Sequence, residues 1–549
     1  MNTVTVQIGG QTGYGIHDAG VLVGRLFTKM GYNIYIVDDY PSLIRGGYQF
    51  IKIRAAKEKI GAHKDHIDLL LAMSQDAISR SKDNINEKTI IIYNSDKVNN
   101  KEGLGFPLKS ILKEEATPGK ELYLMIGALA KTLDLPWDLI EEVYNKHELD
   151  DLENKLKATS KGYKNGEKGE SLIYETGSKT LPIISGSHAI SIGLLKAGLN
   201  ALVGYPMTPT SPVLEFMAKY EKDLGIHVVL PESEIAVIMM ALGYSYMGKR
   251  SAVATSGGGF SLMVEAIGLA AQAETPIVVV MGQRSGPSTG MPTYTAQSDL
   301  NFVQYASQGE FTRLIVAPGD AEEAVYWSGL ALNKAWKYQI PAFILSDKTH
   351  CLGYYTYDEA TIPEVKVEEA LLWNGEGTYK RYADTEEGIS PLAFPPLRDQ
   401  VVKATGYVHD EAGITTENPA IAKGIADKRS KKKLMLLEEM KSYETVKTYG
   451  DGKTALLCWG SNKGVCMEVA KLLGLKTIQM VMISPFPKEA LAKALEGVEK
   501  LIDVECNSEA QLGMLLKLHG FRVDETVLKY DGRSFSVDEL LAGVKKVMK

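Results

Sequence analysis

The chain reads as an α/β protein made of three α/β units in series. Three observations predict this. Apolar runs of strand length recur along most of the 549 residues, separated by amphipathic segments of helical period. A stretch rich in Lys, Glu, Gly and Ser, running from about Asp150 to Thr180, breaks that rhythm once. A weakly patterned stretch bearing Pro391, Pro395 and Pro396 breaks it again. The expected organisation is a first unit over 1–155, a linker over 156–181, a second unit over 182–353, an extended connection over 354–440 and a smaller third unit over 441–549.

In the first unit, the strand candidates are Val4 to Ile8, Asn33 to Val37, Leu69 to Ala72 and Thr89 to Tyr93. Helical patterns between them predict βαβ crossovers and a doubly wound parallel sheet. The first strand runs into Gly9-Gly10-Gln11-Thr12-Gly13-Tyr14-Gly15. Glycines at a strand-to-helix turn let backbone amides approach an anion at the helix N-terminus. Gly10 and Gly13 are therefore candidate ligand-binding positions. The second strand ends in Asp38-Asp39, where an acid could hold ribose hydroxyls. The glycine spacing departs from the dinucleotide fingerprint, so a plain tight turn explains it as well. Arg45, followed by Gly46-Gly47, could present a guanidinium to a phosphate or carboxylate; a structural arginine fits the same pattern.

The stretch Lys161 to Gly169 has too little apolar surface to order itself and reads as linker. The second unit offers strands at Ala201 to Gly204, His227 to Leu230, Ala252 to Thr255, Ile277 to Met281, Arg313 to Val316 and Ala342 to Leu345. The connection after Tyr354 ends in a charged helix, whose basic run Lys428 to Lys433 reads as a solvated face. In the third unit the strands are Thr454 to Trp459, Lys476 to Ile483 and Lys500 to Glu505.

Four strand ends of the second unit carry chemistry. Tyr205-Pro206-Met207-Thr208-Pro209-Thr210-Ser211-Pro212 is a turn stiffened by proline that leaves hydroxyls at a carboxyl strand end. Glu234 opens a helix ahead of the apolar run Ile235 to Leu242, which predicts a carboxyl at a buried interface. Such a carboxyl can hold or donate a proton near neutral pH. Thr255-Ser256-Gly257-Gly258-Gly259-Phe260 signals close backbone approach. Arg284-Ser285-Gly286-Pro287-Ser288-Thr289-Gly290 places a guanidinium fork, suited to a carboxylate, on a shaped loop. Each segment has a structural explanation; four on successive strand ends point to one site.

Composition narrows the classes. A net charge of −7 offers no basic field to nucleic acid. No apolar run approaches the roughly 20 residues that cross a bilayer, and no secretory signal pattern is visible, so a cytoplasmic location is expected. The cysteines Cys351, Cys458, Cys466 and Cys506 are too scattered for a zinc or iron–sulfur ligand set and read as apolar fillers.

These segments closely resemble the 2-oxoacid:ferredoxin oxidoreductase family, in the form of an alpha subunit with a gamma domain fused at its N-terminus. Tyr205 to Pro209 matches Y-P-I-T-P, with Met207 for Ile. Thr255 to Phe260 resembles T-S-G-P-G-F, with Gly258 for Pro. Arg284 to Gly290 resembles R-G-G-P-S-T-G. The opening glycine turn and Tyr40 to Gly47 resemble gamma-domain segments, with Thr12 inserted and Leu43 in place of Glu. Leu457 to Ser461, Pro485-Phe486-Pro487 and Glu505-Cys506-Asn507 resemble the alpha subunit's second domain.

The resemblance implies a gamma-type domain, a thiamine-diphosphate pyrimidine-type domain and a transketolase C-terminal-like domain. It implies that Glu234 contacts the aminopyrimidine ring and that Gly257 and Gly258 lie at the cofactor. Arg284 matches the residue that grips the substrate carboxylate, and Tyr205, Thr208 and Thr289 match residues lining the substrate pocket. It also implies a role for the first unit, with Gly10, Gly13 and Arg45, toward coenzyme A.

The family's beta subunit binds the diphosphate and Mg²⁺ through G-D-G and a later Asn. Here Gly450-Asp451-Gly452 precedes a strand and reads as a turn. The expected partner is therefore a beta subunit holding the diphosphate, Mg²⁺ and a 4Fe-4S cluster, in a dimer of heterodimers that reduces ferredoxin. The expected substrate is 2-oxoglutarate, with pyruvate and branched or aromatic 2-oxoacids as alternatives. Two other readings stay open on the residues: a non-oxidative transketolase- or decarboxylase-like complex, and a non-catalytic nucleotide-binding protein.

Overall fold

In the computed structural model, which describes residues 3–43, 46–100, 102–147, 150–169 and 179–549, the strands assemble into three sheets. The chain divides into two compact units. The first comprises Met1–Ser185, Leu352–Asp358 and Phe535–Ala542; the second comprises Gly186–Cys351, Glu359–Ser534 and Gly543–Lys549.

The first unit is built on an eight-stranded sheet centred on strand Thr3–Gln11, whose interior residues are all buried. On one side, Leu69–Ala72, Ile90–Asn94 and Leu104–Phe106 continue in parallel. On the other, Tyr48–Ala56 is antiparallel, and Asn33–Asp39 is antiparallel to it in turn. The expected parallel sheet is therefore mixed. Strand Tyr48–Ala56 escapes the pattern because Lys52 and Arg54 interrupt its apolar run, yet both are buried, at 4% and 0% exposure. Each donates to a backbone carbonyl: Lys52 Nζ to Lys64 O at 2.9 Å and Arg54 Nη1 to Ala62 O at 2.8 Å.

Part of the expected linker also belongs to this unit. Leu152–Asn165 is a helix, and it packs on helix Glu121–Thr132 with glycine at both crossings. A Cβ on Gly162 would strike the Leu124 carbonyl, and one on Gly127 the Thr159 carbonyl. The glycines that suggest flexibility serve close helix packing, and Tyr163 adds a bond from its hydroxyl to Leu135 O at 2.7 Å.

The second unit holds the other two sheets. The seven-stranded sheet runs Met482–Ser484, Leu314–Val316, Pro341–Asp347, Ile277–Gln283, Ser251–Thr255, Ala201–Gly204, His227–Val229. It is parallel except at Met482–Ser484. The five-stranded sheet orders Val446–Tyr449, Lys476–Met480, Thr454–Trp459, Lys500–Glu505, Glu525–Leu528. One apolar core joins the two sheets: Val279, Phe343 and Ile315 belong to the same buried cluster as Leu457, Ile478 and Leu512. The third sheet is thus continuous with the second, sharing its core and lending it the strand Met482–Ser484.

The connection ends in helix Pro419–Met440, started by Pro419 and capped by Asn418, whose side chain accepts from Ala420 N at 2.9 Å. Its basic run is only partly a solvated face. Lys428 and Lys432 are buried and pair with Glu274 at 2.9 and 2.6 Å. Burial opposes ionisation of Glu274, but Lys432, Lys428 and Arg381 overcome it and hold the carboxyl at about 2. Burial lowers Lys432 to about 8, against the pull of Glu274. A helix-periodic pair of lysines meeting one remote acid is invisible to local patterning. All four cysteines are buried, and none forms a disulfide. No helix among the described residues is long and apolar enough to cross a membrane.

Candidate functional site

Four neighbouring strands of the seven-stranded sheet, His227–Val229, Ala201–Gly204, Ser251–Thr255 and Ile277–Gln283, run parallel and end at one edge. That is the edge at which open α/β sheets hold ligands.

At the first strand end, Tyr205 is 40% exposed and Thr208 is half-buried. Thr210 Oγ1 donates to Met207 O at 3.1 Å, closing the turn. The turn lies flat on the next strand but one, since a Cβ on Gly282 would sit 2.9 Å from Pro209 Cγ. The proline-stiffened loop is thereby fixed against the strand that delivers Arg284.

Glu234 is the first residue of helix Glu234–Tyr246, behind the N-cap Ser233, and is 6% exposed. Its carboxyl lies against the glycine turn that begins helix Gly257–Gln272. A Cβ on Gly259 would fall 2.8 Å from Glu234 Oε1, whereas a Cβ on Gly258 would meet nothing within 4 Å. Gly259 thus makes room for the carboxyl, and Gly258 faces open space. Ser256 ties this turn to the proline loop by donating to Met207 Sδ at 2.7 Å.

Arg284 follows strand Ile277–Gln283 directly. Its Nη1 donates to Thr208 O at 3.1 Å, while its Nε is buried with no hydrogen-bond partner among the described residues. Burial lowers its pKa, and Asp299 acts in the opposite direction. The loop beyond it closes on itself, with Met291 N donating to Ser285 O at 2.9 Å and Ser285 N to Tyr294 O at 3.0 Å. Thr289 is exposed on this loop.

One member of the cluster has no motif to announce it. Asp299 packs against Gly257, where a Cβ would lie 2.9 Å from its Oδ2. Its backbone N–H donates to Gln283 Oε1 at 2.9 Å. Burial pushes its carboxyl up to about 6, with Arg284 pulling the other way. In sequence it is a lone acid ahead of a short helix, Leu300–Tyr305. Large apolar side chains stand exposed beside the site: Ile235, Met239 and Met240 on the Glu234 helix and Leu262 on the next.

The residues singled out in the first unit have different surroundings. Gly10 is packed, with a Cβ position 2.9 Å from Met73 Cβ and 3.0 Å from Ile16 Cδ1. Gly13 has a φ of 97° and open space around it. Arg45 lies outside the described residues. Asp38 is engaged by His17, whose Nδ1 lies 3.3 Å from Asp38 Oδ2. A pocket opens at the N-terminus of helix Ile16–Lys29, lined among others by Tyr14, Asp18, Asn94, Lys97 and Tyr123. There Lys97 Nζ donates to the Tyr14 hydroxyl at 2.6 Å. Among the described residues, no group of three or more His, Cys, Asp or Glu side chains is placed to hold a metal ion.

Comparison with known proteins gives consistent results. Residues 192–427 match the family described as pyruvate flavodoxin/ferredoxin oxidoreductase, thiamine diphosphate-binding, and residues 5–165 match pyruvate ferredoxin/flavodoxin oxidoreductase. The chain is 31% identical to a 2-oxoacid:ferredoxin oxidoreductase subunit alpha from Sulfolobus, over 99% of this chain and 96% of the relative. It is 30% identical to the 2-oxoglutarate synthase subunit KorA of Methanocaldococcus jannaschii, over 56% of this chain and 84% of that protein. The structure of 2-oxoglutarate:ferredoxin oxidoreductase from Magnetococcus marinus, with 2-oxoglutarate, coenzyme A and succinyl-CoA bound, superimposes with a TM-score of 0.90. It is 28% identical, and each chain is covered completely.

Proposed function

The chain belongs to the 2-oxoacid:ferredoxin oxidoreductases, as an alpha subunit with a gamma-like domain at its N-terminus, and on that premise we propose that its strand-end site grips the 2-oxoacid and serves the pyrimidine end of thiamine diphosphate. The observation that carries this reading is the convergence of Glu234, the Gly257–Gly259 turn and Arg284 at one sheet edge. The residues fit the cofactor: the glycine turn is cradled by a buried carboxyl, has open space over Gly258, and lies near a guanidinium with an unpartnered Nε.

When bound, thiamine diphosphate supplies the electron sink that decarboxylation of a 2-oxoacid requires. Glu234 contributes a shielded carboxyl that holds or passes one proton. Arg284 grips the substrate carboxylate through its fork. Tyr205, Thr208 and Thr289 line the pocket. The overall reaction is oxidative decarboxylation of a 2-oxoacid to acyl-CoA and CO₂, with electrons delivered to ferredoxin. The relative from Magnetococcus marinus, which holds 2-oxoglutarate, supports that acid as substrate.

A beta subunit completes the enzyme, supplying the diphosphate and Mg²⁺ site and the 4Fe-4S cluster. The exposed Ile235, Met239, Met240 and Leu262 suit burial beneath such a partner. The gamma-like domain serves coenzyme A, with the open turn at Gly13 and the pocket at Lys97 as the candidate contacts; Gly10 supports that turn by packing. The complex is expected to be a cytoplasmic dimer of heterodimers.

Arg284→Lys tests the reading. In the reconstituted complex it should raise KM for the 2-oxoacid about 10- to 100-fold, the equivalent of losing one charge-assisted hydrogen bond of ~1.5–3 kcal/mol. An unchanged KM in an assembled complex would show that Arg284 does not hold the substrate.

A further inference from the structure

We propose that a cleft lined by Arg313, Arg429 and Lys433 is a binding site for a small multivalent anion. The cleft measures about 640 Å³, within the range of small-molecule sites. It is separate from the candidate site. Arg313 precedes strand Leu314–Val316, which runs parallel to Pro341–Asp347 and, through it, to Ile277–Gln283. Arg284 follows the far end of that last strand, so the two sites lie at opposite edges of one sheet.

The basic run Lys428 to Lys433 meets two fates on helix Pro419–Met440. Lys428 and Lys432 are buried on Glu274, and Lys431 Nζ lies 4.0 Å from Asp384 Oδ1. Arg429 and Lys433, each one position beyond a buried lysine, line the cleft instead. Residues four apart share a helix face, so both cations belong to one wall. Neither makes an ion pair among the described residues. Arg429 Nη1 donates to the neutral Gln272 Oε1 at 2.5 Å, and its Nε is buried with no hydrogen-bond partner among them. Lys433 is exposed.

Arg313 supplies the third charge. It is 8% exposed, yet its bonds go to neutral acceptors, Nη1 to Val303 O at 2.8 Å and Nη2 to Ala306 O at 2.9 Å. Its guanidinium carbon lies 4.3 Å from the centroid of the Phe311 ring. Side-chain bonds hold the walls together: Thr312 Oγ1 donates to Arg429 O at 3.3 Å, and Ser484 Oγ to Arg313 O at 3.2 Å. The cleft is thus pre-formed between a loop, a helix and a strand end. Against these three cations it is lined by a single acid, the exposed Glu310. Removing a cation from water without a counter-charge is unfavourable, and a bound anion offsets that cost. Positive groups converging from a loop and a helix suit an anion with more than one charged group, a diphosphate or a polycarboxylate. Tyr305, 57% exposed in the same lining, offers a ring to an organic body.

The test uses the assembled alpha–beta complex with thiamine diphosphate, excess Mg²⁺ and saturating coenzyme A, so that their own phosphate sites are filled. Calorimetric titration with inorganic pyrophosphate and with citrate should show saturable binding of at least one, weakening as salt is raised. The tighter of the two tells a phosphate site from a polycarboxylate site. Lys433→Gln, an exposed substitution that does not threaten the fold, should weaken binding about 10- to 100-fold, as loss of one charge-assisted contact would. Without added anion, kcat and KM for the 2-oxoacid should stay as they were. Lys431→Gln removes the same charge from the same helix outside the cleft, and should leave binding nearly unchanged. Failure of the complex to bind either anion overturns the proposal, as does binding that survives Lys433→Gln. Equal weakening by Lys431→Gln also overturns it, since that outcome marks a diffuse positive field and no site.

Discussion

Two glycine turns, one in each compact unit, look alike in sequence and differ in what surrounds them. Gly9 to Gly15 and Gly257 to Gly259 both follow a strand and open a helix. In the first, Gly9 and Gly10 make room for the protein's own side chains, Tyr48, Met73 and Ile16, and only the later Gly13 is open. In the second, the glycines are flanked by two carboxyls, Asp299 at Gly257 and Glu234 at Gly259, with open space between them at Gly258. Glycine marks a close approach; the neighbours decide whether that approach is packing or chemistry.

Substitutions can break or sharpen this contrast. The largest effect is expected at Glu234. Glu234→Gln preserves its fit against Gly259 but removes the ionisable carboxyl, so turnover of the complex should drop by ~10²–10⁴ while subunit assembly persists. Comparable turnover would place Glu234 with the packing residues. Next comes Gly10→Ala, which pushes a methyl into Met73 and Ile16. It should cost ~1–3 kcal/mol of stability, seen as a lower denaturation midpoint, with KM for the 2-oxoacid unaltered. The smallest effect is expected at Gly258. Nothing lies near its Cβ position, and the family motif carries Pro there, so Gly258→Ala should leave turnover intact and stabilise the helix start by ~0.4–1 kcal/mol. A fall in turnover would mean that the bound cofactor reaches the Cβ position of residue 258 itself.

The candidate site edge was legible because its residues sit on loops directly after apolar strands, where periodicity and motif spacing reinforce each other. Tyr205, Thr208, Glu234, Gly257 and Arg284 are each within a few residues of a strand end. What stayed hidden depends on remote partners. Lys52 and Arg54 interrupt the apolar run of strand Tyr48–Ala56, and the carbonyls that receive them, those of Ala62, Lys64 and Asp65, lie outside it. Lys428 and Lys432 read as a charged surface because Glu274, their shared anion, is some 150 residues away. Asp299 belongs to the site through Gly257 and Gln283, contacts that no local spacing encodes. Helix Leu152–Asn165 was obscured because the same glycines serve a flexible tether and a tight helix crossing.

Strand Met482–Ser484 hydrogen-bonds along Leu314–Val316, and so covers what would otherwise be the naked border of the seven-stranded sheet. A chain truncated before residue 446 would therefore lose more than a neighbouring sheet. It would leave the unpaired amides and carbonyls of Leu314–Val316 as a template for another chain, beside apolar residues stripped of Leu457, Ile478 and Leu512. The C-terminal portion in this respect acts as a guard against self-association, and a recombinant excision of the catalytic sheet alone would inherit an adhesive seam.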